Sequence, residues 1–443
     1  MDMPQLKKNM SFGGLLIYAL IFMVPIAPFG IYGDVFNVSH GMVGMVYLTG
    51  FVGMLFTALS YGRMMKEFRK AGSVYEYAKR GLGANIGFIG GWCMLLDYII
   101  IPALLYIVAT IAMHEIVPSV PALVWAAVFI SFNTVAAFVG LNFTDKVNKV
   151  FLAFMLLLIG IFVVMAYRGL STGEFPDSQG FTMAPFFQKE HFTVGMVFSA
   201  VSIAVMSFLG FDGVSTLTEE AKDGVKTHYV PFVSLCIAVV LFLAQVVFAA
   251  WVLPNPDVFQ ANSGNAWYVI AKIVGGGYLS TACALLTALS WGITNALASQ
   301  TAVSRVIFGM ANDGVLPRSL ATLNERFKTP HVAIAMSGLV SAVLVFLFED
   351  HLDVFVSFVN FGALTGFILL HLAVLSWCNI KNKCQNVFIE RISPLCGIVI
   401  LSYVWIALDQ SAKMLGLAWL VVGVIVIAIN KYRGVSINIE ALD

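Results

Sequence analysis

The sequence predicts an all-α integral membrane protein with twelve transmembrane helices in a single domain, 1–443. Of the 443 residues, 60% are hydrophobic and only 11% are charged, against roughly 25% charged residues in soluble domains. The apolar residues form long runs, each close to the roughly 20 residues that cross a bilayer as a helix. No run alternates between apolar and polar residues as the strands of a membrane barrel do. We therefore expect a helical protein embedded in the lipid bilayer.

Twelve apolar runs follow one another along the chain. The first begins after the polar stretch Met1–Asn9 and is too long for the core of a signal peptide, so we interpret it as a retained helix. The predicted spans are 13–38, 41–62, 87–113, 121–141, 148–167, 193–217, 230–253, 276–304, 332–348, 352–378, 392–409 and 412–430.

The distribution of Lys and Arg predicts the orientation. With the N-terminus inside, the cytoplasmic side holds all but four of the 25 basic residues, the exceptions being Arg168, Lys189, Lys272 and Lys413. Cytoplasmic loops of plasma-membrane proteins are enriched in Lys and Arg. An even number of spans with both termini in the cytoplasm is therefore expected.

The composition excludes several other classes of protein. The net charge of +1 argues against a nucleic-acid partner, which needs a concentrated basic face. The six cysteines contain no C-x-x-C pair, so neither a metal site nor a disulfide framework is predicted. The sequence also lacks a phosphate-binding loop, a cofactor-binding motif and a catalytic nucleophile paired with a base. We expect no enzyme activity and no cofactor, and we expect transport to be driven by a gradient or by exchange.

The first and sixth predicted spans are interrupted at corresponding places. The first contains "FMVPIAPFGIYG", with Pro25, Pro28 and Gly30, and the sixth contains "SFLGFDGVS", with Gly210 and Gly213. Proline removes a backbone donor and breaks helix continuity. The two breaks lie five spans apart, which predicts two five-helix halves and two further helices, namely 13–168, 192–378 and 391–432.

Paired breaks in the two halves of a chain predict a binding site halfway across the membrane. Unwound backbone exposes N–H and C=O groups that hydrocarbon cannot satisfy, so these groups line a cavity and face polar ligand atoms. The alternative is that the glycines and prolines only kink the helices or allow them to pack closely.

Asp97 and Asp212 are the only acidic residues that fall well inside predicted spans. An ionised side chain in the membrane is costly and by default marks a functional site. Each is expected to hold a substrate ammonium group or a proton, and the alternative is a helix cap that accepts backbone N–H groups.

Asn295 and Asn360 are expected to line the same cavity, whereas a lone His371 is typical of a packing residue. Aromatic ring faces suit ammonium groups. The aromatic residues expected near the two breaks and near Asp97 are Phe29, Tyr98, Phe208, Phe211 and Trp291.

Four stretches together resemble the signature regions of the amino acid–polyamine–organocation (APC) superfamily, and the similarity covers nearly the whole chain. They are "SFLGFDGVSTLTEEAK", "SRVIFGMANDGVLP", "AGSVYEYAKRGLG" and "GFIGGWCMLLDYIIIPA". The resemblance implies the leucine-transporter (LeuT) fold, with two inverted five-helix repeats, broken helices 1 and 6, and alternating access. It also implies that a substrate carboxylate binds N–H groups of helix 1 and that the amine meets helix 6. The positions concerned are Ile26, Ala27, Pro28, Phe29 and Gly30 in helix 1, and Phe208 to Gly213 in helix 6.

Within the superfamily the sequence is most similar in motif to bacterial putrescine importers, which implies a bacterial inner membrane. It departs from its relatives at two positions. Gly30 stands where those importers carry an Asp in the helix 1 break, so a second carboxylate for a diamine is missing there. Met155 stands where some proton-coupled relatives carry a Lys, so the coupling ion remains open.

These features predict a secondary transporter that imports an amino acid, a small amine or a polyamine, with a proton as the expected coupling ion. An exchanger that swaps an amino acid for its amine product is a second interpretation. A channel or a receptor without transport is a third, although matched broken helices favour a binding site over a pore.

Overall fold

The structure is a computed structural model that describes residues 10–68, 73–140, 145–254, 263–312, 317–327, 329–349, 351–381 and 386–432. These ranges contain helices and no β-strand. Both chain ends, for which the sequence predicts a cytoplasmic location, lie outside the described residues. The α-helices are α1 (Phe12–Met23), α2 (Pro28–Ser39), α3 (Val43–Glu67), α4 (Ser73–Leu82), α5 (Ala84–Ile116), α6 (Ala122–Val139), α7 (Asp145–Thr172), α8 (Val194–Ala204), α9 (Val230–Val252), α10 (Ala266–Leu289), α11 (Ala296–Asn312), α12 (His331–Phe348), α13 (Leu352–Lys381), α14 (Ser393–Ala407) and α15 (Gln410–Tyr432).

Over the ranges given above, 11 helical segments are long and apolar enough to cross a membrane. The twelfth span is the pair α1 and α2, which are bent by 53° at their junction. The predicted all-helical, twelve-span membrane fold is thereby confirmed. The broken helices begin each predicted set of five, and the division into 13–168, 192–378 and 391–432 stays a prediction.

The break in the first span is narrower than the sequence predicts. It runs from Val24 to Ala27, and α2 begins at Pro28. Proline suits the first turn of a helix because the N–H group that it lacks has no helical acceptor there. Phe29 and Gly30 therefore belong to the first turn of α2 rather than to unwound backbone, which corrects the expectation for these positions.

The break in the sixth span lies at Gly210. After α8 the chain continues as a 3₁₀ turn, Val205–Phe208, and a second 3₁₀ helix, Phe211–Glu220, follows the break. Gly210 has a φ of +114°, and a Cβ atom there would lie 2.8 Å from the backbone carbon of Phe22 in α1. Only glycine satisfies both the conformation and the close approach. The two broken spans therefore touch each other at their breaks.

A short backbone bridge links these two spans a second time. Met10, before α1, pairs in parallel with Ala221, which follows the 3₁₀ helix of the sixth span. The N–H of Lys222 donates to the carbonyl of Met10 at 2.9 Å. The segment that enters the first span is thus joined to the segment that leaves the sixth.

Buried polar contacts fix the last two spans to the core. Trp92 of α5 and Trp419 of α15 stack at 4.6 Å, and each indole N–H donates to the other's backbone carbonyl at 2.9 Å. Arg63 of α3 donates from Nε to Glu390, at the start of the eleventh span, at 2.6 Å. Because only 1% of the Glu390 side chain is exposed, this ion pair forms inside the protein.

Candidate substrate-binding site

A cavity lies where the two breaks meet. Its volume of about 40 Å³ accommodates a few water-sized groups, so a substrate the size of an amino acid requires it to widen. Seven residues expected at the site line it, and they are Ala27, Asp97, Tyr98, Gly210, Asp212, Trp291 and Asn295. The cavity therefore holds Asp212 of the sixth-span break together with Asp97 of α5.

The apolar walls of the cavity are residues that sequence reasoning missed. Ile101, Leu104 and Leu105 line it from α5. They follow Asp97 at the three- and four-residue spacing of one helix face. Helical periodicity could therefore have predicted that they line the cavity. Ser299 lies four residues after Asn295 and was detectable in the same way. The remaining lining residues missed are Phe22, Met23, Val24, Met206 and Val359, whereas Leu209 falls within the predicted range Phe208 to Gly213.

Eight expected site residues do not line the cavity: Ile26, Pro28, Phe29, Gly30, Phe208, Phe211, Gly213 and Asn360. The three phenylalanines pack instead in aromatic clusters. Phe29 stacks on Trp267 with ring centroids 4.1 Å apart. Phe208 meets Phe242 edge to face at 5.3 Å, and Phe211 meets Tyr61 in the same manner at 5.8 Å. These rings are buried in the protein core and do not line the cavity.

Gly30 and Asn360 also have packing roles. A Cβ atom at Gly30 would lie 2.9 Å from Val108 of α5, so the glycine allows α2 to approach α5. The Asn360 side-chain amide donates to the carbonyl of Ser202 at 2.6 Å and ties α13 to α8. Asn360 therefore behaves as an interhelical hydrogen bonder.

The backbone at the break of the first span has fewer N–H groups available to a ligand than expected. The N–H of Ala27 donates to Val24 at 2.7 Å, that of Phe29 to Ile26 at 2.9 Å, and that of Gly30 to Ala27 at 3.3 Å. These donors are used in tight turns, so the predicted binding of a substrate carboxylate does not follow for them. Within the described ranges only Ile26 offers an N–H group of this segment without a backbone acceptor.

Asp212 both caps the sixth-span break and lines the cavity. Its Oδ1 atom accepts the N–H of Gly210, the residue before the 3₁₀ helix, at 3.2 Å, as the acidic residue of a capping box does; this is the backbone-accepting role raised as the alternative. Its Oδ2 atom lies 3.5 Å from the Tyr61 hydroxyl, a long contact. Capping occupies one oxygen and leaves the other facing a weak donor, so the carboxylate retains capacity to accept hydrogen bonds from a ligand.

Asp97 faces the same cavity from α5. Its side chain is buried, and its Oδ1 atom has no hydrogen-bond partner in the part of the chain that the structure describes. None of the described lining residues is Lys, Arg or His. Two carboxylates thus share one apolar cavity without a lining cation, and a buried charge without compensation is strongly unfavourable.

Trp291 and Asn295 reach the cavity from an irregular stretch of the eighth span. A π-helical segment, Ser290–Asn295, separates α10 from α11. The indole N–H of Trp291, the Oδ1 atom of Asn295 and the hydroxyl of Ser299 are buried without a hydrogen-bond partner in the described ranges. Such groups are uncommon in native proteins and are available to a ligand. The described residues contain no group of three or more His, Cys, Asp or Glu side chains that could hold a metal ion.

Comparison with known proteins identifies the family of this chain. The sequence model of the family described as amino acid permease matches residues 23–430. The chain is 28% identical over 432 residues to the low-affinity putrescine importer PlaP of Escherichia coli (strain K12), covering 96% of this chain and 94% of that protein. It is 25% identical to the branched-chain amino acid permease BcaP of Bacillus subtilis (strain 168), covering 87% and 84% of the two chains. It is 26% identical to the methylthioribose transporter of the same organism, covering 82% and 78%. With twelve membrane spans and a family match over nearly its whole length, the chain belongs to the amino acid permease family of the APC superfamily.

Proposed function

We propose that this protein is a secondary active transporter that imports a small primary amine across the bacterial inner membrane by alternating access. The substrate is an amino acid, or an amine or polyamine derived from one, and a proton is the coupling ion. The single observation that carries the proposal is the pair of carboxylates, Asp97 and Asp212, in one cavity that no described basic residue lines.

The charge of the cavity favours a substrate with an ammonium group. Carboxylates that lose water must be paired or must take up protons. An ammonium group has three N–H donors and no acceptor, and the Oδ1 atoms of Asp97 and Asn295 are acceptors without a described donor. Tyr98 and Trp291 also line the cavity, and their ring faces attract cations.

The same acids support coupling to protons. When an ammonium group is bound to one carboxylate, a proton on the other is the least costly way to remove the remaining buried negative charge. Inward movement of that proton together with the substrate would link uptake to an inward proton gradient. Met155, 1% exposed in α7, provides no alternative cation. Both acids are therefore candidates for the proton site.

A diamine belongs to the proposed substrate class. Position 30 in the first span is glycine, so this span provides no carboxylate for the second ammonium group of a diamine. Asp97 of α5 provides a second carboxylate in the cavity instead. The similarity to a putrescine importer over 96% of the chain supports diamines. The similarity to a branched-chain amino acid permease supports amino acids equally, so both kinds of substrate belong in the first assay.

Uptake by the purified full-length protein in proteoliposomes tests the proposal. Radiolabelled amino acids, monoamines and diamines are supplied outside, with and without a proton gradient that a protonophore can remove. We expect saturable uptake of at least one amine, increased by an inward proton gradient. Absence of uptake for every compound, with the protein folded and inserted, would refute the function. Efflux of preloaded label only when unlabelled substrate is added outside would instead identify an exchanger.

A further inference from the structure

The π-helical segment changes the hydrogen bonding of the eighth span. In an α-helix the N–H of Ala296 would donate to the carbonyl of Gly292, four residues earlier. Here it donates to the carbonyls of Ile293 and Trp291 instead. The carbonyl of Gly292 has therefore lost its α-helical donor in the middle of the membrane, where an unsatisfied group is costly.

Asn133 of α6 supplies a replacement donor. Its side-chain amide donates to the carbonyl of Gly292 at 2.6 Å, and the residue is fully buried. A Cβ atom at Gly292 would lie 2.7 Å from Ala109 and 3.1 Å from the Phe129 ring. Because position 292 is glycine, the segment can approach α6 closely enough for this bond. The asparagine itself is not among the residues that line the cavity.

The π-helical segment also changes the angular spacing of residues in the eighth span. Trp291 and Ser299 are eight residues apart, and at about 100° per residue an uninterrupted α-helix would place them about 80° apart. A π-bulge absorbs one residue. The effective separation then falls to seven residues, and the two side chains lie about 20° apart. Both line the cavity, and the bulge brings them closer to one line along the helix than an uninterrupted α-helix would.

We propose that Asn133 is a positioning residue for substrate binding. It holds the Gly292 carbonyl, stabilises the π-helical segment and thereby keeps Trp291, Asn295 and Ser299 on the cavity face. The proposal deepens the proposed function and rests on it, since it assumes that these side chains contact the transported amine.

A matched pair of substitutions in α6 tests this role. Asn133→Leu removes the donor to Gly292 at similar volume. Thr134→Val, one residue later, removes a different α6 contact to the eighth span, the 2.9 Å bond from the Gln300 amide, and does not touch the π-helical segment. We expect Asn133→Leu to raise the half-saturation concentration for uptake about tenfold, equivalent to about 1.4 kcal/mol of binding, with little change in maximal rate. Thr134→Val should stay close to wild type.

A double-mutant cycle distinguishes positioning from general destabilisation. If Asn133 acts through Asn295, adding Asn133→Leu to Asn295→Ala should weaken binding much less than it does in the wild type, because coupled residues are not additive. Thr134→Val should be additive with Asn295→Ala. Full additivity of Asn133→Leu would overturn the proposal. So would failure of both Asn133→Leu and the isosteric Asn133→Asp to give folded protein, because the residue would then serve the fold alone.

A readout without substrate separates this proposal from the proposed function. A single cysteine is placed at position 299 after the native cysteines have been replaced, and a small membrane-permeant thiol reagent reports whether it faces the cavity. We expect labelling when Asn133 is present and at least about fivefold slower labelling in Asn133→Leu. Equal rates would refute the positioning role even if transport is established. A large difference would support it even if the substrate panel fails.

Discussion

Replacing Asp212 with asparagine should separate binding from capping. In the wild type Oδ1 accepts the N–H of Gly210 at 3.2 Å, while Oδ2 lies 3.5 Å from the Tyr61 hydroxyl. Asparagine retains one oxygen for the N–H of Gly210, and its NH₂ group can donate to the oxygen of Tyr61. The cap therefore persists, but the negative charge that we propose attracts a substrate ammonium group is lost.

The expected size of the effect follows from these contacts. A hydrogen bond to a charged group contributes about 1.5–3 kcal/mol, which corresponds to roughly a 10- to 100-fold loss of affinity for an amine. The free energy of unfolding of Asp212→Asn should stay close to wild type. Asp212→Ala removes the cap as well and should lose about a further 1 kcal/mol of stability.

Asp409 provides the control for capping without binding. Its Oδ1 atom accepts the N–H groups of Ser411 and Ala412 at 2.7 and 3.3 Å at the start of α15, and it does not line the cavity. Asp409→Asn and Asp409→Ala should leave affinity unchanged. Affinity is measured by scintillation proximity in nanodiscs, and stability by thermal unfolding of the same samples. Wild-type affinity in Asp212→Asn would refute the ammonium role and leave the residue as a cap.

Three further substitutions test the packing described above. Gly30→Asp should destabilise the protein by about 1–3 kcal/mol through overpacking against α5 and should not create a diamine preference; a folded variant with tighter putrescine binding than wild type would contradict this. Trp419→Phe removes one of the two indole bonds to Trp92 and should lower thermal stability by about 1 kcal/mol, with uptake affinity unchanged. Arg63→Met removes the guanidinium that is bonded to the buried carboxylate of Glu390, so it should cost about 3–5 kcal/mol. The double variant with Glu390→Met should recover most of that loss, and the ion-pair argument fails if the single variant melts like wild type.

The sequence was sufficient to place both breaks and both acids because each depends on local chemistry. Proline and glycine interrupt helices wherever they lie in a span, and a carboxylate in an apolar run stands out by composition alone. The exact limits of the first break depend on finer detail. Pro28 fits equally well into a break and into the first turn of a helix, so no feature of the sequence indicates that α2 begins there.

Side-chain direction was harder to predict, because partners distant in sequence decide it. Phe29 turns away from the cavity to stack on Trp267, a contact that no local pattern reveals. The π-helical segment is also invisible to periodicity, because it shifts the helical phase by a single residue. His371, expected to be a packing residue, lies between the hydroxyls of Ser60 and Thr57 at 2.8 and 3.3 Å, and those partners are more than 300 positions away.

The bridge between Met10 and Ala221 restricts how the cavity can open. Together with the contact of Gly210 on Phe22, it fastens the leading half of the first span to the trailing half of the sixth at both ends. Movement of either half alone would break the hydrogen bond from the Lys222 N–H to the Met10 carbonyl. If the cavity opens on that side as proposed, we expect the two halves to move together, and a disulfide across positions 10 and 221 should slow transport far less than one that joins either half to α5.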